Sequence, residues 1–350
     1  MSDQPSIWPE VIGRLVRRED LPPELVEEAM AAILGGQATD AQIAAFAVTL
    51  RAKGETVDEL AALVRTMLQF SAPLELSAGT PVVDTCGTGG AKSRTMNIST
   101  IGALVVAGAG VRVAKHGNRA ASSTCGSADL LERLGVVIDL GPTGVARCIE
   151  EAGIGFCFAP KFHPAMRFAG PARRELGTRT TFNFLGPLAN PARVRHQVLG
   201  VSDPTMGERM AGVLAQLGTE RALVFCGADG LDELTTTGLS TVYELRGGAI
   251  TSSTLDPIDY GIARAEHSAL IGGDATFNAD VTRRVLDGEK GASRDVILLN
   301  AAAALTVTGA VDDMHAGIDC AAAAIDDGRA AATLDAFVTA STRARDAESA

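Results

Sequence analysis

From Thr80 onward, short β-branched runs alternate with helical ones, and this alternation restricts the possible folds more than any other feature of the chain. Val82-Val83 leads to a helical pattern over Ile98 to Gly108, Val111 to Ala114 to one over Ser127 to Leu134, and Val136 to Ile138 to one over Val145 to Ala152, with Phe156 to Ala159 following. The pattern resumes at Gln197 to Val201, Met206 to Leu217 and Ala222 to Cys226. Strands alternating with helices of this length form βαβ units on a parallel sheet. Before Thr80 the pattern is helical only. Trp8 to Arg18 carries an apolar stripe, and Pro22-Pro23 opens a helix that runs to Leu34 and stops at Gly35-Gly36. Thr39 caps a third helix ending at Gly54, and the Thr56/Glu59 capping box starts a fourth that ends near Phe70. Ala165 to Leu176 reads as a helix and Phe184 to Pro191 as a loop or interdomain crossing. The tail reads as helices over Val296 to Thr308 and Ala316 to Thr342. At roughly 150 residues per domain, 350 residues suggest two domains.

The formal net charge is −11 and the pI near 5.0. Nucleic acids and anionic membranes need a basic footprint, so neither is an expected main partner. A local pocket can still oppose the global charge and take a small anion. The longest apolar run, Ile101 to Val111, is broken by glycine and too short to span a bilayer. Met1 to Glu10 lacks the basic and apolar regions of a signal peptide. Cys86, Cys125, Cys148, Cys157, Cys226 and Cys320 include no C-x-x-C pair, so we expect thiols in a reducing cytosol rather than a zinc site or a disulfide framework.

In an open parallel sheet, ligands bind beyond the carboxyl ends of the strands. After Val82-Val83 comes Asp84-Thr85-Cys86-Gly87-Thr88-Gly89-Gly90, and then Asn97-Ile98-Ser99-Thr100 opens a helix. Glycines allow close backbone approach, and a helix N-terminus with hydroxyls attracts an anion, so this reads as a phosphate cradle. It is neither a dinucleotide fingerprint nor a P-loop, because Lys92 and Ala91 stand where those motifs need glycine. After the next strand, Lys115-His116-Gly117-Asn118-Arg119, Ala120-Ala121 and Ser122-Ser123 supply charge and directed donors to phosphate. Asp229, Asp232 and Glu233 follow the Cys226 strand. Adjacent carboxylates there are hard oxygen ligands suited to magnesium beside phosphate, although an acidic turn has the same pattern.

These runs, together with Arg173-Arg174-Glu175-Leu176-Gly177 and Phe182-Asn183-Phe184-Leu185-Gly186-Pro187-Leu188-Ala189-Asn190-Pro191, closely resemble the anthranilate phosphoribosyltransferase family over nearly the whole chain. The resemblance implies an α/β fold: a small all-helical N-terminal domain plus a larger α/β domain with a mostly parallel central sheet. The helical domain would hold residues 1–76, with about 165–195 crossing back, and the α/β domain residues 77–164 and 196–350. It also implies a homodimer through the helical part and a pentosyltransferase activity. Anthranilate would attack the anomeric carbon of 5-phospho-α-D-ribose 1-diphosphate (PRPP), releasing diphosphate and giving N-(5-phosphoribosyl)anthranilate, on the route to tryptophan.

By the same resemblance PRPP meets Gly87, Gly90, Ala91, Thr95, Asn97, Ile98, Ser99 and Thr100. It also meets the run Lys115, His116, Gly117, Asn118, Arg119, Ala120, Ala121, Ser122 and Ser123, and Ser127. Anthranilate meets Gly87, Asn118 and Arg173, with Arg173 on its carboxylate. Ser99, Asp232 and Glu233 hold magnesium. Lys115, Asn118 and His116 stand nearest the chemistry, His116 as either a proton acceptor or a packing wall. The sequence departs from the family at Ala91-Lys92, where an aspartate and a glycine usually follow G-T-G-G. Two other readings are a nucleoside phosphorylase of related architecture and a silent, ligand-binding paralogue.

Overall fold

The computed structural model describes residues 6–77, 81–89, 94–120 and 124–349. Four helices come first: α1 (Trp8–Val16), α2 (Pro23–Leu34), α3 (Asp40–Lys53) and α4 (Val57–Gln69). Their starts follow the capping chemistry of the sequence. Thr39 Oγ1 accepts the Gln42 N–H while Gln42 Oε1 accepts the Thr39 N–H, and Thr56 and Glu59 do the same for α4. Glu59 is buried and also accepts the Leu21 N–H at 2.9 Å and Lys53 Nζ at 2.9 Å, so one carboxylate ties α3, α4 and the α1–α2 connection together. Thr56→Ala is expected to cost about 1 kcal/mol of stability, read as a lower midpoint in thermal or urea unfolding. An unchanged midpoint would mean that the cap contributes nothing.

The sheet has seven strands: β1 (Val82–Gly87), β2 (Arg112–Gly117), β3 (Ile154–Phe158), β4 (His196–Gly200), β5 (Arg221–Gly227), β6 (Ser240–Arg246) and β7 (Ala249–Leu255). Their order is β3-β2-β1-β4-β5-β6-β7. The first five are parallel, while β6 and β7 add an antiparallel edge. Side chains alternate between two cores. Val83, Val113, Val198, Leu223 and Phe225 pack with the helices Ile98–Gly108 and Ala292–Thr308. Cys86, Leu199, Ala222 and Val224 face the other way, where they join the core of α1–α4 with Phe182, Phe184 and Leu185. The helical region therefore shares its core with one face of the sheet, and residues 169–189 run back into it.

The structure departs from the sequence reading at several places. The span read as one helix from Ala165 to Leu176 is a 3-10 helix, Pro164–Ala169, followed by an α-helix, Gly170–Leu176. Val136 to Ile138 is not a strand: Val136 and Ile138 are buried, and the Val137 N–H goes to Ser341 Oγ at 3.0 Å rather than into a ladder. Phe182–Leu188 is a short helix with Pro187 inside it, because Phe182, Phe184, Leu185 and Leu188 are buried on the helical core. The span read as one helix from Ala316 to Thr342 is two, Met314–Asp326 and Arg329–Ser349, divided at Gly328 with φ +74°. The β6–β7 hairpin had no assignment in the sequence reading. Its turn is Gly247-Gly248, both at positive φ as a two-residue primed turn requires.

Candidate active site

The chain leaves β1 toward β2 and β3 but leaves β4 toward β5, so the order reverses between β1 and β4. That is where an open α/β sheet forms a crevice at its carboxyl edge. Gly87 and Gly200 are ladder partners there. A methyl on Gly87 would meet the Asp232 carboxylate, and one on Gly200 would overlap the Asp232 backbone carbonyl. These two glycines allow the segment after β5 to lie across the ends of β1 and β4.

That segment brings Asp232 and Glu233 to the phosphate loop. Asp232 Oδ2 accepts the Gly89 N–H at 2.7 Å. Glu233 Oε1 accepts the Ser99 N–H at 3.2 Å, in the first turn of the helix Ile98–Gly108. Lys115 is buried at the end of β2 and donates Nζ to the Thr85 carbonyl at 2.5 Å and to Ser99 Oγ at 3.3 Å. Ser99, Lys115 and Glu233 therefore converge from a helix start, the end of β2 and the segment after β5. Burial pushes the Glu233 carboxyl well up, Asp232 beside it adds to this, and Lys115 offsets only part. Burial also raises Asp232, and it lowers the Lys115 ammonium against the pull of Asp84 and Glu233. Two carboxylates and a hydroxyl are hard-oxygen donors of the kind magnesium takes, and a divalent cation beside them would offset the cost of ionising the buried carboxyls.

The end of β2 forms the second loop. The Asn118 carbonyl accepts the Ala128 N–H and Ser127 Oγ, and Asn118 Oδ1 accepts the Arg119 N–H. A methyl on Gly117 would overlap Ser127 Oγ, so this glycine lets the loop sit on the helix Ser127–Leu134. The Arg119 guanidinium is committed to Asp129 and Glu132, and the Ala120 N–H goes to Asp129 Oδ2 at 2.9 Å. The Arg119 side chain is thus taken by two carboxylates, unlike the Lys115 ammonium, which pairs with no carboxylate among the described residues. On the first loop, Thr95 bridges to Ile271. Asn97 Nδ2 donates to the Cys125 carbonyl at 3.1 Å, while Asn97 Oδ1 accepts Asn278 Nδ2 at 2.8 Å. Ile98 and Thr100 are buried and anchor the helix start. Gly90, Ala91, Lys92, Ala121, Ser122 and Ser123 lie outside the described residues.

His116 Nδ1 lies 2.5 Å from Asp84 Oδ2, and Gln197 Nε2 donates to the same oxygen at 3.3 Å. Burial alone would raise the Asp84 carboxyl, but His116, with Lys115 further off, holds it below its ordinary value. Asp84, Cys86 and His116 offer three ligand atoms within 4.8 Å of one another. Burial pushes the Cys86 thiol well up, so it stays protonated, and its neighbours are the Gln197 amide and backbone carbonyls. We therefore assign this group to a hydrogen-bonded network that orients His116, not to a metal centre.

Arg173 sits on the helix Gly170–Leu176, with its guanidinium 5.8 Å from the Phe182 ring. It is part-buried, burial lowers its pKa, and among the described residues no carboxylate pairs with it. Arg174, next along, is exposed. His163 is buried with Nε2 2.9 Å from the Ala189 carbonyl, and burial pushes it down to about 4, so it is neutral at physiological pH. Trp8 is core, edge-on to Phe46 at 6.2 Å. Among the described residues no helix is long and apolar enough to cross a membrane, and Cys86, Cys148, Cys157, Cys226 and Cys320 are free thiols.

The chain matches the glycosyl transferase family at both of its parts: the helical bundle domain over residues 9–71 and the a/b domain over residues 79–331. It is 52% identical to the anthranilate phosphoribosyltransferase of Nocardioides sp. over 343 residues, covering 97% of this chain and 100% of that protein. The structure superposes on anthranilate phosphoribosyltransferase from Thermus thermophilus with a TM-score of 0.90 at 41% identity, covering 95% of this chain and 99% of that one. It superposes on the Saccharomyces cerevisiae enzyme, solved with PRPP and Mg, with a TM-score of 0.89 at 25% identity, covering 96% and 98%. With its two domains, the reversal of strand order at β1/β4 and relatives that match it almost end to end, the chain belongs to the anthranilate phosphoribosyltransferase family.

Proposed function

We infer that the cleft transfers the 5-phosphoribosyl group of PRPP to the amine of anthranilate, giving N-(5-phosphoribosyl)anthranilate and diphosphate in tryptophan biosynthesis. The observation that carries this reading is the meeting of Asp232 and Glu233 with the glycine loop and the helix start at Gly89 and Ser99. A dissociating diphosphate needs counter-charge, which Lys115 and a divalent cation held by the two carboxylates would supply at this end of the sheet.

In this reading the Gly87–Gly90 loop, Ala91, Thr95 and Asn97 to Thr100 receive the diphosphate end. The loop from Lys115 to Ser123, with Ser127, receives the phosphoribosyl group. Ser99, Asp232 and Glu233 would hold magnesium, which when bound would offset charge on the diphosphate oxygens. Lys115, already donating to Ser99 Oγ, brings a fixed positive charge to the same place. The transition state resembles an oxocarbenium ion, so holding the amine in line contributes more than removing a proton from it. Arg173 would take the anthranilate carboxylate as a bidentate pair, Asn118 would fix the ring's amine end and Gly87 would leave room for it. His116, held through Nδ1 by Asp84, turns Nε2 away from that bond and forms a wall of the anthranilate side.

Residues 1–76 with 165–195 would form one wall of the cleft and the α/β part the other. Exposed Val16 and Val48 on α1 and α3 suit a homodimer through the helical region. Free thiols suit a reducing cytoplasm.

With PRPP and magnesium, anthranilate fluorescence is expected to disappear, and a chelator in excess should stop the loss. Phosphate with thymidine should give no free base. Release of thymine would favour the phosphorylase reading, and no reaction in either mixture would favour the silent paralogue.

A further inference from the structure

Arg179 lies between the helices Gly170–Leu176 and Phe182–Leu188, six residues beyond Arg173, and no motif drew attention to it. Its Nη1 donates to the Gly89 carbonyl at 2.6 Å and to Ser202 Oγ at 3.2 Å, while Nη2 lies 3.4 Å from the Thr88 carbonyl. The guanidinium sits 5.5 Å from the Phe184 ring centroid. Among the described residues no carboxylate is within ion-pair distance of it. Burial lowers its pKa, while Asp232 and Asp203 are the nearest opposing charges and Arg51 a like one. A guanidinium that gives its donors to neutral carbonyls leaves its charge unmatched, and leaving it half-buried costs stability. A pure loop brace would not need the charge.

What it holds is the peptide group at the centre of the site. Gly89 has φ +66°, its N–H donates to Asp232 Oδ2 and its carbonyl accepts from both Arg179 and Ser202 Oγ. Ser202 in turn gives its N–H to Thr88 Oγ1, and the Thr88 N–H goes to the Gly200 carbonyl. The carbonyl oxygens of Thr88 and Gly89 are thereby held on the Arg179 side, which fixes the Gly89 peptide where its N–H meets Asp232. The fork geometry of arginine matters here, because a lysine cannot serve two carbonyls and a hydroxyl from fixed directions.

We propose that Arg179 is a positioning residue for the diphosphate end of the substrate: it clamps the Thr88–Gly89 carbonyls and brings beside them a positive charge that forms no ion pair among the described residues. This rests on the phosphoribosyl-transfer reading. The ligand chemistry it selects is a diphosphate, not the ribose 5-phosphate half of PRPP, which falls to the loop after β2.

The test separates those two halves without turnover. Inorganic pyrophosphate and ribose 5-phosphate are each titrated calorimetrically, with magnesium, into the parent protein, Arg179→Met and Arg179→Lys. Met keeps the stem over Phe184, and Lys keeps the charge but loses the fork. Arg179→Met is expected to weaken pyrophosphate about tenfold or more, the scale of a lost charge-assisted contact, with ribose 5-phosphate affinity within about twofold. Arg179→Lys should recover part of the pyrophosphate affinity. In steady state, the KM for PRPP should rise in Arg179→Met with that for anthranilate little changed. Equal weakening of both probes, or pyrophosphate binding like the parent's in both variants, would overturn the proposal. If Arg179→Met does not fold, Arg179→Lys against the parent decides by the same two ratios. A parent protein that consumes no anthranilate with PRPP would overturn the transfer reading itself, whereas an active parent matched by its variants overturns only the role of Arg179.

Discussion

Replacing Asp232 and Glu233 together by Asn and Gln is expected to lower turnover about a thousandfold or more, the scale on which lost electrostatic stabilisation of a developing charge is felt. The two carboxylates reach Gly89 and Ser99 from the segment after β5, where the leaving group's charge would accumulate. The amides keep shape and remove charge. The fold should survive the change. Both carboxyls are raised, first by burial, so folding disfavours their charged forms. A raised carboxyl costs stability in full above its folded-state pKa, and the cost fades as pH falls from there to the unfolded-state value. The double variant at neutral pH should therefore melt at or above the parent's midpoint while losing activity. Near-normal turnover would refute the roles given to this pair, and a collapse in melting point would make them structural.

Arg173→Ala is expected to raise the KM for anthranilate by about 30-fold to 150-fold, corresponding to about 2–3 kcal/mol for a charge-assisted contact. PRPP should bind as before. The guanidinium is part-buried without a carboxylate, so an incoming carboxylate would complete it. Arg174 is exposed beside it, and Arg174→Ala should be much the milder change. The measurement is a pair of saturation curves for each variant. If both substrates weaken equally in Arg173→Ala, that arginine supports the fold.

How much of this was legible depends on whether the signal was local. The four N-terminal helices were, because Thr39 with Gln42, Thr56 with Glu59, Pro23 and the closing glycines are short-range chemistry. The strands β1 to β5 were, because a buried parallel strand is a continuous apolar run between helical periods. Val136 to Ile138 shows the limit of that signal: an apolar run whose Val137 N–H goes to Ser341 Oγ is buried without forming a strand. Phe182–Leu188 shows the converse, since its Pro and Gly were read as breakers while four buried side chains held the turn helical. The β6–β7 hairpin was written in Gly247-Gly248, a turn signal with β-rich runs on both sides.

For the site, the residues at strand ends were visible as motifs, but their pairing was not. Glu233 on Ser99 N–H, Lys115 on Ser99 Oγ and Asp84 on His116 Nδ1 join positions 16 to 134 residues apart. Asp84 was read as part of a loop, whereas it lies inside β1, buried and countered by His116. Arg119 looked like a phosphate ligand, yet Asp129 and Glu132, one and two helical turns into the neighbouring helix, take its guanidinium. Arg179 had no motif at all, and its place is set by the crossing segment that returns the chain from the helical core to β4.

The central claim is that one cleft at the β1/β4 crevice joins anthranilate to the phosphoribosyl group and expels diphosphate. Mass spectrometry of the reaction mixture, with diphosphate quantified in parallel, tests it most directly. The account predicts N-(5-phosphoribosyl)anthranilate and one diphosphate per anthranilate consumed, with neither formed above background by the Asp232→Asn/Glu233→Gln variant. Diphosphate release without the anthranilate adduct, or an adduct formed equally well by that variant, would contradict it.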